Sequence, residues 1–109
     1  MPAERARKLA AIVSINIAGF SAMSERDSGA AAAIVRETAE IIGRCVTRYG
    51  GRVFNTAGDG FMAEFPSVRD ALACAILILR RLRDTTAVRI GAHCGEVTVL
   101  EDGDLLGHG

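Results

Sequence analysis

Apolar residues recur along the chain in two rhythms, and the change from one to the other marks its elements. Residues 9–17 are apolar at nearly every position, which predicts a strand buried on both faces and therefore central in its sheet. Residues 29–48, with Tyr49 just beyond, instead place Ile34, Val35, Thr38, Ile41, Ile42, Cys45, Val46 and Tyr49 at spacings of three and four, the signature of an amphipathic helix. The polar stretch Ser24-Glu25-Arg26-Asp27-Ser28 is suited to capping that helix, and Gly50-Gly51 to stopping it. Period-two character then returns in residues 52–54 and 61–65 on either side of Asn55-Thr56-Ala57-Gly58-Asp59-Gly60. That pattern predicts a hairpin in which Gly58 and Gly60 supply positions where positive φ costs little. Pro66 and Ser67 open a second helix that runs through Ala71, Leu72, Ala75, Ile76, Leu79 and Leu82, and a long strand follows over residues 87–100. A turn is expected at Glu101-Asp102-Gly103-Asp104, and the glycine-rich apolar stretch 105–109 reads as a tail left without cover.

The order strand, helix, hairpin, helix, strand predicts an α/β (α+β) ferredoxin-like sandwich. Its antiparallel-rich sheet would carry two long helices on one face. At 109 residues there is room for one domain, with a core over about residues 8–109, and the apolar ending suggests a chain that stops inside that domain. Thirteen basic and thirteen acidic residues cancel, so no global field attracts nucleic acid or an anionic membrane. The basic cluster Arg80-Arg81-Arg83 is read as a solvated helix end that complements the dipole. Cys45, Cys74 and Cys94 are widely spaced and form no C-x-x-C pair, which fits reduced, buried thiols of a cytoplasmic protein. Arg5, Arg7 and Lys8 before an apolar run have the outline of a signal peptide. Glu4 and the β-branched run Ile12-Val13 favour a buried strand instead. No stretch reaches the roughly twenty apolar residues of a membrane span.

Two segments carry chemistry. Asp59 is a carboxylate lifted out of a tight turn, and residues 12–21 form a strand that breaks at Ala18-Gly19-Phe20-Ser21 into a helix start. Free N–H groups at such a start favour anions, so this turn is a candidate phosphate cradle. Ile15-Asn16-Ile17-Ala18-Gly19-Phe20-Ser21, Tyr49-Gly50-Gly51-Arg52-Val53, Gly58-Asp59-Gly60, Glu64-Phe65-Pro66-Ser67 with Asp70-Ala71, and Arg89-Ile90-Gly91-Ala92-His93-Cys94-Gly95-Glu96-Val97 follow one another in order. Together they resemble the catalytic domain of the class III adenylate/guanylate cyclases.

The resemblance implies a lyase of cyclic-nucleotide signalling, in which the ribose 3′ oxygen of a nucleoside triphosphate attacks the α-phosphorus and pyrophosphate leaves. It implies a Mg2+ or Mn2+ pair bridged by two aspartates, with ATP or a related triphosphate as substrate. The metal positions fall on Asp59, Asn16 and the backbone of Ile17, the phosphate positions on Ala18, Gly19, Phe20 and Ser21, and the purine-reading positions on Asn55 and Asp104. It further implies a homodimer or heterodimer with another cyclase domain, because cyclase sites form between two subunits. Three departures stand out. Asn16 replaces the first-strand aspartate, Asn55 replaces a purine-reading lysine, and the family's asparagine and arginine would lie beyond Asp104 in a helix outside this sequence. An Asn-for-Asp exchange forfeits a full charge, and one unit-charge pair at ~4 Å is worth about 4 kcal/mol at an effective dielectric of ~20. The expectation is a cyclase-like domain that is inactive as this chain, with a non-catalytic pseudocyclase dimerisation or regulatory module as the alternative and an unrelated ferredoxin-like binding domain as a third reading. His93 is expected as a strand residue with a local hydrogen-bond partner. Asp59 should converge with residues 18–21, beside Asn16 across paired strands, and the uncovered tail should promote association.

Overall fold

The computed structural model describes residues 7–58, 60–99 and 105–107. Eight elements follow in order: β1 (Arg7–Ile17), α1 (Phe20–Arg26), α2 (Ser28–Arg48), β2 (Arg52–Ala57), β3 (Gly60–Phe65), α3 (Val68–Leu82), β4 (Val88–Val99) and β5 (Leu105–Gly107). They build one sheet of order β2-β3-β1-β4-β5 in which every neighbour is antiparallel. The first four strands and the two long helices make the expected ferredoxin-like sandwich. The apolar ending departs from expectation. Residues 105–107 form an edge strand, with Leu105 opposite Val99 and Gly107 opposite Val97. The backbone donors and acceptors along the β4 edge account for this, since they gain partners from any extended segment that reaches them.

β1 is central, as its nearly continuous apolar run predicts. Ala11, Val13, Ile15 and Ile17 point into the core with Phe61, Ala63 and Phe65 of β3, and α2 and α3 close that core with Ile42, Cys45, Val46, Ala71, Cys74, Ile78 and Leu82. On the other side of the sheet Ala10 and Ile12 form a smaller buried cluster with Phe54.

The helices repeat most of the predicted pattern and correct part of it. The polar stretch before α2 is largely a helix of its own, α1, and only Asp27 caps α2, its Oδ1 accepting from the Ala30 N–H at 3.0 Å. Seven residues with none buried give too short a periodicity to be read from the sequence. Ser67 caps α3, its Oγ accepting from the Asp70 N–H at 3.1 Å. The buried face of α3 is rotated from the expected one, running through Ala71, Cys74, Ala75, Ile78 and Leu82, while Leu72, Ile76 and Leu79 stay 48%, 52% and 47% exposed. Small residues at 71, 74 and 75 let the helix approach the sheet closely, so packing selects that side of a helix that is apolar over more than one. Gly51 is required by a similar closeness, because a Cβ there would fall 2.5 Å from Phe65 Cε1 and 2.9 Å from the Glu64 carbonyl oxygen.

Cys45 and Cys74 are buried as expected, but Cys94 on β4 is exposed. Burial pushes the Cys74 thiol up to about 12, and it raises Cys45 as well. Both are protonated packing groups at neutral pH. Ile78→Ala, in the fully buried row, should lower stability by about 2–5 kcal/mol, whereas Ile76→Ala on the exposed flank should cost no more than ~1 kcal/mol. Equal urea midpoints for the two variants would contradict this orientation of α3.

Candidate active site on the open face of the sheet

The face of the sheet away from α2 and α3 takes every second residue of β1, namely Ala10, Ile12, Ser14 and Asn16. Antiparallel pairing sets Glu64, Met62 and Gly60 opposite Ile12, Ser14 and Asn16 on one side. On the other side, His93, Gly91 and Arg89 stand opposite the same three residues. Residues paired across a sheet share a face, so this row order follows from register alone.

β2 enters that face through an irregularity. Arg52 pairs with Glu64 and Val53 with Ala63, but Asn55 pairs with Met62, so the register shifts by one at Phe54. A β-bulge of this kind re-aims the residues after it. Strict alternation from Arg52 would send Asn55 toward the helices; the shift turns it to the open face instead. There Asn55, Ser14, Asn16, Gly60, Phe61 and Met62 line a hollow of ≈ 200 Å³. Two residues singled out from different motifs, Asn16 and Asn55, are thereby brought to one place.

The remaining candidates are distributed as follows. Ile17 ends β1 with its side chain in the core and its backbone paired to Val88. The Ala18 N–H donates to the Ala87 carbonyl at 2.9 Å, which commits it to tying β1's end to the β4 approach. Gly19 takes φ 70 and caps α1, whose first residues are Phe20, packed partly into the core, and Ser21, exposed. Positive φ at that point is the reason for a glycine. Gly58 has φ 56 in the hairpin turn, as expected, whereas Gly60 lies inside β3. Asp59, Asp104 and the turn at 101–104 lie outside the described residues. His93 is exposed, its Nε2 standing 2.8 Å from where a Cβ on Gly95 would sit.

No protein-family model matches the chain. A putative adenylate cyclase of Rhizobium meliloti is 33% identical over 113 aligned positions, covering 94% of this chain and 19% of that protein. The crystal structure of an adenylate/guanylate cyclase/hydrolase from Silicibacter pomeroyi is 33% identical with a TM-score of 0.76, over 95% of this chain and 66% of the other. The chain belongs to the class III adenylate/guanylate cyclase domain family. The guanylyl cyclase domain of the RhoGC fusion protein from Blastocladiella emersonii shares the fold of this cyclase domain, with a TM-score of 0.86 at 21% identity over 97% of this chain and 72% of that one. The domain spans about a fifth of the curated relative and about two thirds of the bacterial crystal structure. No helix among the described residues is long and apolar enough to cross a membrane.

At the opposite end of the same face the cyclase domain holds a charged group that the motifs gave no role. Glu64 accepts from Arg52 Nε at 2.9 Å and Nη2 at 2.8 Å, and pairs with Lys8 Nζ at 2.6 Å. Partial burial alone would raise the pKa of Glu64, but the hydrogen bonds and charges of Lys8 and Arg52 outweigh it and hold the carboxyl below its usual range. The sequence signal was available in hindsight: Arg52 and Glu64 sit six residues to either side of the Gly58 turn, but only a hairpin register makes them partners. A carboxylate whose folded pKa is depressed adds stability above its unfolded value of about 4.3, and that stability is lost as pH falls through the lower folded value. Glu64→Gln should therefore be less stable than the parent at pH 7, with the gap narrowing as pH drops from about 5 toward 3. Urea midpoints measured across that range are the check, and a pH-independent gap would remove the ion pair as its cause.

Proposed function

We propose that this cyclase domain binds a nucleoside triphosphate at the open-face hollow without cyclising it, and serves as a non-catalytic partner of another cyclase domain in cyclic-nucleotide signalling. Asn16 carries the proposal. It stands exposed on the hollow at the position where the family resemblance implies an aspartate, and the described residues around it offer only neutral oxygens: the Ser14 hydroxyl and the Asn16 and Asn55 amides. Hard dications bind carboxylates in preference to amides. Among the described residues no group of three His, Cys, Asp or Glu side chains is placed to hold a metal. This donor set does not by itself fit a pair of Mg2+ or Mn2+ ions, and Asp59 would be the one anionic ligand left to the site.

What the neutral hollow can do is hydrogen-bond. An amide presents both a donor and an acceptor, which suits a purine edge or a ribose hydroxyl. For the phosphates, the N–H groups of Gly19, Phe20 and Ser21 are the available donors of the glycine turn, that of Ala18 being committed to Ala87. Binding of this type holds substrate and transition state alike, so it gives occupancy without rate enhancement. A partner domain that recognises the occupied face would turn that occupancy into a signal, and the exposed Asn16, Arg89 and His93 lie on the surface it would meet.

The purified chain should form no cyclic AMP or cyclic GMP above background with either Mg2+ or Mn2+. Manganese-dependent turnover that Asp59→Ala abolishes would overturn the non-catalytic reading in favour of an enzyme. Asn16→Asp should tighten Mn2+ binding, measured by calorimetry, by about tenfold or more, the order expected from one added carboxylate charge. Equal affinities in the two forms would exclude Asn16 from a metal site.

A further inference from the structure

The helical side of the molecule carries a charged feature unrelated to the open face. In the solvent-facing groove between α2 and α3, Arg44 and Arg48 of α2 and Arg81 of α3 surround a hollow of ≈ 170 Å³, with Leu77 and the buried Cys45 completing its lining. Arg44 and Arg48 are four residues apart, so they sit one above the other on the same side of α2. A like-charge pair in that relation destabilises a helix by about as much as an opposite pair would stabilise it. The third guanidinium is brought in from the neighbouring helix and adds to the repulsion. No carboxylate lines the hollow, and among the described residues none of the three arginines takes part in an ion pair.

The helix dipole gives a partial account of these charges. Arg48 and Arg81 each lie in the last turn of their helix, where a cation offsets the partial negative charge of the carbonyls. Arg44 lies one turn further in, beyond that effect. The dipole also gives no reason for three side chains from two helices to meet around one hollow. The charges of Arg81 and Arg48 also both act on the Cys45 thiol, against the burial that raises its pKa.

We infer that this groove is a binding site for a compact, multiply charged phosphate oxyanion, gripped by the guanidiniums of Arg44, Arg48 and Arg81. The geometry of the donors selects the ligand class. A guanidinium presents a rigid fork of N–H groups that matches two oxygens of a carboxylate or phosphate. One carboxylate has oxygens for a single fork, whereas a phosphate group can accept from forks on three sides. The open hollow of ≈ 170 Å³ has room for a phosphate or pyrophosphate group, and its solvent-facing side leaves space for whatever that group is attached to. A bound anion would cancel the Arg44–Arg48–Arg81 repulsion and bridge α2 to α3, and so stabilise the layer that backs the sheet.

The anion could be free in solution or part of a larger molecule whose remainder stays outside the groove, and titrations of the full chain separate the two. Inorganic phosphate, pyrophosphate and ATP would each be titrated by calorimetry and by thermal denaturation, with sodium chloride at matched ionic strength as the control. Pyrophosphate should bind more tightly than phosphate and raise the melting temperature, with chloride having no such effect. Arg44→Gln and Arg81→Gln should each weaken pyrophosphate binding by about tenfold, the order of one charge-assisted bidentate contact. Without the anion, Arg44→Gln should be as stable as the parent or more so, since it relieves repulsion without removing a last-turn charge; a merely structural role for Arg44 predicts the reverse. Equal shifts with chloride, or pyrophosphate binding unchanged in both variants, would overturn the assignment. If Arg81→Gln also weakens ATP binding, the groove takes a nucleotide's phosphates; if only Asn16→Ala does, the groove takes the free anion. Because Asn16 and Arg81 lie on opposite sides of the molecule, failure of nucleotide binding at the open face and failure of anion binding in the groove are read from different variants.

Discussion

The double pairing of β1 is the constraint on which the rest depends. It bonds to β3 along one edge and to β4 along the other, so its register with both neighbours must be satisfied at once. With Val13 and Ile15 fully buried beneath the helices, a slip of one residue would expose the most apolar positions of the chain and turn Asn16 into the core. The energy that holds Asn16 on the open face is therefore the energy of the hydrophobic core itself. The site inherits its rigidity from strands rather than from loops, which suits a surface that must present polar groups in fixed rows.

The two ends of that face solve the electrostatics of a sheet surface differently. Near the start of β1, Lys8, Arg52 and Glu64 compensate one another across three strands, and the partly buried carboxylate is stabilised in its charged form. Near the end of β1, the hollow is lined by amides, a hydroxyl and apolar groups. One end is internally satisfied and structural. The other offers hydrogen-bonding groups with no carboxylate among the described residues that line it, which is the chemical basis for reading it as a binding surface without a two-ion centre.

On the helical side, α2 and α3 share the core through small and medium side chains, Cys45 of one and Cys74 of the other among them. Such packing leaves little room between the helices at depth, so long side chains on their flanks are pushed toward solvent. The three arginines converge for that reason, against their mutual repulsion. The exposed apolar flank of α3 has the same origin: once Ala71, Cys74 and Ala75 face the sheet, Leu72, Ile76 and Leu79 must face sideways.

Much of this was legible in the residues. The apolar run of β1, the three-and-four spacing of α2, the glycine-punctuated hairpin and the caps at Asp27 and Ser67 are local or periodic signals, so burial and turn chemistry alone determine them, and the ordered motifs around them carried the family. The elements that escaped were those whose cause is not local. α1 is too short to show a period, β5 exists only because β4 offers an open edge, and the face of α3 depends on which side fits the sheet. The sequence could nominate Asn16 and Asn55 separately, but it could not place them together, because alternation along β2 assigns Asn55 to the wrong side. That was decided by the register shift at Phe54, where one residue drops out of the ladder so that Phe54 can cover Ala10 and Ile12 and Asn55 can turn to the open face. A bulge is a compromise among three strands competing for hydrogen bonds and apolar cover, and no single strand's sequence contains it.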